Sequence, residues 1–178
     1  MDLLKYKYYQ AESVFKPENL LREAKRQKEK KDCNVPSVCL LDPDGDLSEY
    51  LLKTNQATLN ECWACYHSKM YNFKVEGIEV GIIPCIVGSS YAVLVAEQLF
   101  VSGCTSLISI TSSGIISQPK SNKKFALITE AKRDEGTSYH YLPPEAISKL
   151  SQALCEKLAN GSSAADCPYF EAKSWTTD

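Results

Sequence analysis

The apolar positions fall into blocks whose period changes along the chain. Residues 20–31 mix apolar and charged side chains just after Pro17, which predicts a surface helix with proline near its start. Residues 35–41 form a short β-rich run ended by Asp42-Pro43-Asp44-Gly45, a strong turn signal. Residues 47–52 read as a helix. Residues 66–75 and 78–87 flank Glu76-Gly77 and predict two strands joined by a tight hairpin. The clearest unit follows. Residues 81–87 are a buried strand, Gly88-Ser89-Ser90 a polar turn, and residues 91–101 a helix with apolar periodicity that Ser102-Gly103 ends. Residues 107–110 are a second buried strand. Strand, helix and strand on such short links predict a right-handed βαβ unit. Residues 125–130 add a strand, and residues 144–158 a helix with Ile147, Leu150, Leu154 and Leu158 on one face. Residues 117–124 and 160–167 read as polar loops. The prediction is an α/β fold, a single domain with a mostly parallel or mixed central sheet flanked by helices.

Composition narrows this only at the margins. The 178 residues are 44% hydrophobic and 24% charged, ordinary values for a globular domain of one core. A net charge of −2 supplies no field for nucleic acid, so no nucleic-acid partner is expected. The one basic run, residues 22–31, is broken by Glu23 and Glu29 and reads as a solvated helix face. No stretch reaches the roughly 18 apolar residues of a membrane span. The start, Met1-Asp2-Leu3-Leu4-Lys5, lacks the layout of a secretory signal. A cytoplasmic protein with no membrane partner is therefore expected. Of the 8 cysteines, Cys39, Cys85 and Cys104 sit among apolar residues and read as small buried hydrophobes. The pair Cys62-Trp63-Ala64-Cys65 reads as incidental spacing, with redox and metal roles left open. Nothing argues for disulfides, and a structural zinc site would want a second ligand pair that the sequence does not show.

In open α/β sheets ligands collect at the carboxyl ends of strands. Three segments here end predicted strands with polar groups. Gly88-Ser89-Ser90 leads into a helix amino terminus, which suits an anion or a sugar oxygen. Thr111-Ser112-Ser113-Gly114 offers hydroxyls and backbone N–H groups without bulk. The third, Arg133-Asp134-Glu135-Gly136-Thr137-Ser138-Tyr139-His140, is the densest polar stretch of the chain.

Taken in order, these segments resemble the nucleoside phosphorylase superfamily, in particular its uridine-phosphorylase-like members. The likeness runs over residues 36–178 and is most specific at residues 133–144. It implies a phosphorylase/hydrolase-like domain at residues 35–178 behind a helical extension at residues 1–34. It also implies cleavage of the N-glycosidic bond of a nucleoside, uridine or purine, a pentosyl transfer in which phosphate is the co-substrate and no other cofactor takes part. By the resemblance Thr111, Ser112, Ser113, Gly114 and Gly88 would bind phosphate or ribose. Arg133, Asp134 and His140 would line the base pocket or its rim.

The departures bear on chemistry. A guanidinium fork is the usual holder of phosphate. Ser109 stands where the family places one arginine and Gly45 about where it places another, while Tyr66, His67 and Lys69 lie near the stretch that lends a third to a neighbouring subunit. The segment that completes the base pocket, and a Met-Glu pair that grips the ribose, would follow Trp175-Thr176-Thr177-Asp178, so a C-terminally truncated domain is expected. Truncation predicts an exposed apolar edge and a homo-oligomer. Two other readings stand beside the phosphorylase: a hydrolytic nucleosidase, and a non-catalytic member that binds a nucleoside or a partner subunit.

Overall fold

The computed structural model describes residues 7–117, 125–162 and 168–177. They contain helix α1 (Pro17–Gln27), strand β1 (Val38–Asp42), helix α2 (Asp46–Lys53), strands β2 (Thr58–Leu59), β3 (Tyr71–Val75) and β4 (Ile78–Pro84), helix α3 (Ser89–Val101), strands β5 (Ser106–Ser109) and β6 (Phe125–Asp134), a 3-10 turn (Ser138–His140), strand β7 (Ser148–Lys149), helix α4 (Gln152–Ser162) and strand β8 (Tyr169–Thr177). The loop expected at 117–124 lies outside the described residues after residue 117, as do residues 1–5 and Asp178. Two compact units divide the chain, one of residues 12–113 and the other of residues 1–11 with 114–178.

The first unit is built on a five-stranded mixed sheet in the order β2-β3-β4-β1-β5. Strand β1 is parallel to β4 on one side and to β5 on the other, while β3 runs antiparallel to β4. Alternation along the central strands assigns side chains to two faces. Cys39, Leu41 and Ile83 pack with Val95 and Leu99 of α3, whereas Leu40, Val80 and Ile82 pack with Leu51 of α2. The sheet is covered on both faces, which is why the runs 38–41 and 80–83 are almost continuously apolar. Each fully buried isoleucine there contributes roughly 1.5–3 kcal/mol of hydrophobic stabilisation. Gly81 sits in a tight place, because a Cβ there would stand 3.0 Å from both Cys39 Sγ and Met70 Sδ, closer than most side-chain contacts. The hairpin forms as expected. Glu76 (φ 50°) and Gly77 (φ 83°) are both left-handed, the geometry that suits a two-residue turn.

The βαβ unit spans β1, which lies between β4 and β5 and runs parallel to both; a strand apolar on both faces belongs in the middle of the sheet. Three expectations are corrected here. Strand β3 starts at Tyr71 rather than at residue 66. Asn60 bends the preceding loop by accepting from the Cys62 and Trp63 N–H groups (2.9 and 2.7 Å), and Trp63 Nε1 donates to Ser68 Oγ at 3.0 Å. That bend leaves Cys62 partly accessible and Cys65 buried, so Cys62 forms a disulfide with Cys33, 29 residues upstream, where none was expected. Cys85 is exposed rather than buried, in a left-handed conformation (φ 59°) just past the end of β4. Cys39 and Cys104 are buried, and burial, with Cys104 as neighbour, pushes the Cys39 thiol up to about 12.

Helix α1 keeps its cations on a solvated face, where Arg22 and Arg26 meet Glu23, and Lys25 meets Asp32. Its other face buries Leu21 and Ala24 against Ala64.

In the second unit β6 lies between β7, antiparallel, and β8, parallel. The helix expected over 144–158 is displaced to Gln152–Ser162. Pro143 and Pro144 resist helix propagation, Ser148–Lys149 pairs with β6, and Leu150 N–H donates to Thr129 O at 2.9 Å. Ser151 then caps α4, its hydroxyl accepting from Leu154 N–H at 3.3 Å. Residues 160–162 are therefore helical rather than loop, and the rest of that expected loop, 163–167, lies outside the described residues. Among the described side chains of this unit only Glu135 is buried.

No helix among the described residues is long and apolar enough to cross a membrane.

Candidate functional site

Because β1 runs parallel to β4 on one side and to β5 on the other, the carboxyl ends of the three strands lie side by side. The backbone ties them together there. Cys85 N–H donates to Asp42 O at 2.8 Å, and Ile110 N–H to Leu41 O at 3.0 Å. The central turn, Asp42 to Gly45, is held by the buried Asp42 carboxylate. Its oxygens accept from Gly45 N–H (3.1 Å) and from Ser48 N–H (2.8 Å), which caps the amino terminus of α2. On one side of this turn lies Gly88, at the start of α3, exposed, with φ 94° and open space where a Cβ would stand. On the other side lies the loop that follows β5, with Thr111, Ser112 and Ser113 all exposed.

The centre of the arrangement is Asp44. Its carboxylate accepts from Ser112 N–H at 2.6 Å, and the Thr111 hydroxyl stands 3.3 Å from each of its oxygens. Donation from the Ser112 N–H, more than any other contact, holds the Asp44 carboxyl below its ordinary value. The strand ends thus present hydroxyls, an open glycine and one exposed carboxylate. Such a set can hydrogen-bond a neutral polyol such as a sugar ring.

Gly114 and the 133–140 segment belong to the second unit. Gly114 is exposed, with open space around it. Arg133 commits all five N–H donors to its own loop: Nε to Ser138 Oγ (2.9 Å), Nη1 to the carbonyls of Pro143 and Ala146 (2.6 and 2.8 Å), and Nη2 to those of Ser138 and Leu142 (both 2.8 Å). Its guanidinium also stacks over the Tyr139 ring at 4.8 Å. Asp134 accepts from Trp175 Nε1 at 2.8 Å, and the exposed His140 takes a hydrogen bond from Lys7 through Nδ1. Of the other carboxylates, Glu135 accepts from Ser138 N–H at 2.9 Å. Glu130 is paired with Lys173 at 2.9 Å, and that ammonium holds its carboxyl below the usual range. Among the described residues no cluster of three or more His, Cys, Asp or Glu side chains could hold a metal.

Of the sequence-predicted residues, the structure brings Thr111 and Ser112 together on one acceptor. That acceptor, Asp44, was read only as part of a turn. A second carboxylate two residues after the end of a central parallel strand is the signal that pointed to it. A surface hollow of about 660 Å³ lies elsewhere, lined by α1 with Lys30, Asp32 and Val101; none of its lining residues comes from the strand-end loops. Lys25 and Lys30 there are already paired with Asp32 and Glu61.

No protein-family model matches the sequence, and no curated protein does. Solved structures do match. Uridine phosphorylase from Vibrio fischeri ES114 complexed with 6-hydroxy-1-naphthoic acid aligns with a TM-score of 0.67 at 17% identity, over 86% of this chain and 65% of that one. A second structure of uridine phosphorylase from the same organism aligns at 0.66 and 17% identity, over 84% of this chain and 62% of that one. Purine nucleoside phosphorylase from Toxoplasma gondii, in complex with immucillin-H, aligns at 0.63 and 14% identity, over 82% and 58%. The chain spans less than two thirds of the length of each. At such identities the likeness concerns backbone architecture, and the chain has a nucleoside-phosphorylase-like α/β fold.

Proposed function

We propose that the chain binds a nucleoside at the carboxyl ends of β4, β1 and β5 and cleaves its N-glycosidic bond, with phosphate or water as acceptor. The observation that carries this reading is the convergence of three parallel strand ends on Gly88, Asp44, Thr111 and Ser112 within a phosphorylase-like fold. Glycosidic cleavage passes through an oxocarbenium-like state, and an exposed carboxylate among hydroxyls suits a ring that gains positive charge. Ser113 and Gly114 extend the same loop. In the second unit Arg133 holds the loop that carries Asp134 and His140. We expect no cofactor beyond the acceptor, a boundary near residues 34/35 and a cytoplasmic address. A homo-oligomer is also expected, because Phe125, Ile147 and Trp175 are exposed; sedimentation as a monomer would count against it.

A second reading has its own support. Glu130, Asp134 and Glu135, carboxylates that could grip ribose hydroxyls, are all engaged within the chain, which favours binding without turnover. Incubation with uridine and inosine, with and without phosphate, separates the readings. Base release is expected from one of the two. Binding of either nucleoside without release of base would establish the non-catalytic reading.

A further inference from the structure

The turn after β1 carries Asp42, Asp44 and Asp46 within five residues. Asp42 is buried and spends its oxygens on the Gly45 and Ser48 N–H groups. Asp46 stands in the first turn of α2. Asp44 is exposed and reaches across to the loop after β5, where it takes the Ser112 N–H at 2.6 Å and faces the Thr111 hydroxyl at 3.3 Å. A backbone N–H and an adjacent hydroxyl are what a bound oxyanion would use, and here a carboxylate of the chain itself occupies them. Among the described residues no ion pair reaches any of the three aspartates. The position after Asp44 is Gly45, and the one two before Thr111 is Ser109, so neither neighbour supplies a cation.

Resting on the nucleoside reading above, we infer that Asp44 is an acceptor-specificity residue that keeps inorganic phosphate off the Thr111 and Ser112 donors. Two physical terms act together. Phosphate must displace an acceptor that is tethered within the same fold, and so competes at high effective concentration. It must also approach a carboxylate of like charge that no ion pair among the described residues offsets. A neutral nucleoside meets neither obstacle. Its hydroxyls can donate to the lone pairs of Asp44 that Ser112 leaves open. The acceptor that remains is water. In that reaction the C1′–N bond breaks, a C1′–O bond forms to the water oxygen, and a water proton passes to the departing base.

Titration calorimetry with inorganic phosphate tests this on the full chain, comparing wild type with Asp44→Ala and Asp44→Asn. The expected result is a phosphate dissociation constant roughly tenfold lower in Asp44→Ala and lowered by less in Asp44→Asn, whose amide oxygen can still accept from Ser112 N–H, with Thr111→Val added to Asp44→Ala reversing much of the gain. Asp44→Asn keeps the shape of the side chain and serves if Asp44→Ala fails to fold. Equal phosphate affinity in wild type and a folded variant would overturn the proposal. Uridine and inosine are titrated separately into the same proteins. Failure of all of them to bind a nucleoside would overturn the nucleoside reading, and the role of Asp44 in acceptor choice with it, independently of the phosphate result.

Discussion

Gly81 shows how far a single residue is read from its neighbours and how far from its fold. In the sequence it opens an apolar run; in the structure it is the point where β4 admits Cys39 and Met70 against the backbone. Gly81→Ala forces a methyl group to 3.0 Å from two sulfur atoms, so something must shift. The expected cost is about 1–3 kcal/mol, read as a lower midpoint in urea with an unchanged slope. Asp44 makes the same point for the site. Its type and its place in a turn were legible, yet nothing local to residues 42–45 names Ser112, 68 residues away, as its partner. Cys85 was misread for a similar reason. Its apolar neighbours belong to a strand that ends one residue earlier, so the residue that follows faces solvent.

Elements were most legible where the period was long or the punctuation strong. Helix α3, the hairpin turn at Glu76-Gly77 and strand β5 lie within a residue or two of their expected bounds, whereas β4 ends at Pro84, three residues before the expected end at residue 87. Helix α4 is displaced from residues 144–158 because competing hydrogen bonds outweigh the helical spacing of Ile147, Leu150, Leu154 and Leu158. Arg133 takes the carbonyls of Pro143 and Ala146, and β7 takes the edge of β6. The 133–146 segment is therefore a loop organised by one guanidinium, with Tyr139 closing it by donating to Arg133 O at 2.9 Å. Arg133→Ala removes five donors at once and should cost about 2 kcal/mol. Limited proteolysis should then cut within 134–146 in the variant and spare the wild type. Arg133→Lys should restore little, since an ammonium cannot reproduce the fork. Equal protease resistance in wild type and Arg133→Ala would contradict this role.

At the scale of the molecule, the α/β class and the mixed sheet flanked by helices followed from the order of runs alone, and the structural likeness to uridine and purine nucleoside phosphorylases agrees with it. The position of β1 between β4 and β5 did not follow, because strand order depends on which surfaces pack across the sheet, and an apolar run looks the same at any place in it. That order is what puts the loops after β4 and β5 on either side of the Asp42 turn. A nucleoside is proposed to bind at that junction. Backbone amide shifts of the labelled protein, followed during titration with uridine and with inosine, test it most directly. Saturable shifts centred on Asp44, Gly88 and residues 111–113 are expected for at least one of the two. Shifts confined to other residues, or none at millimolar nucleoside, would contradict the proposal.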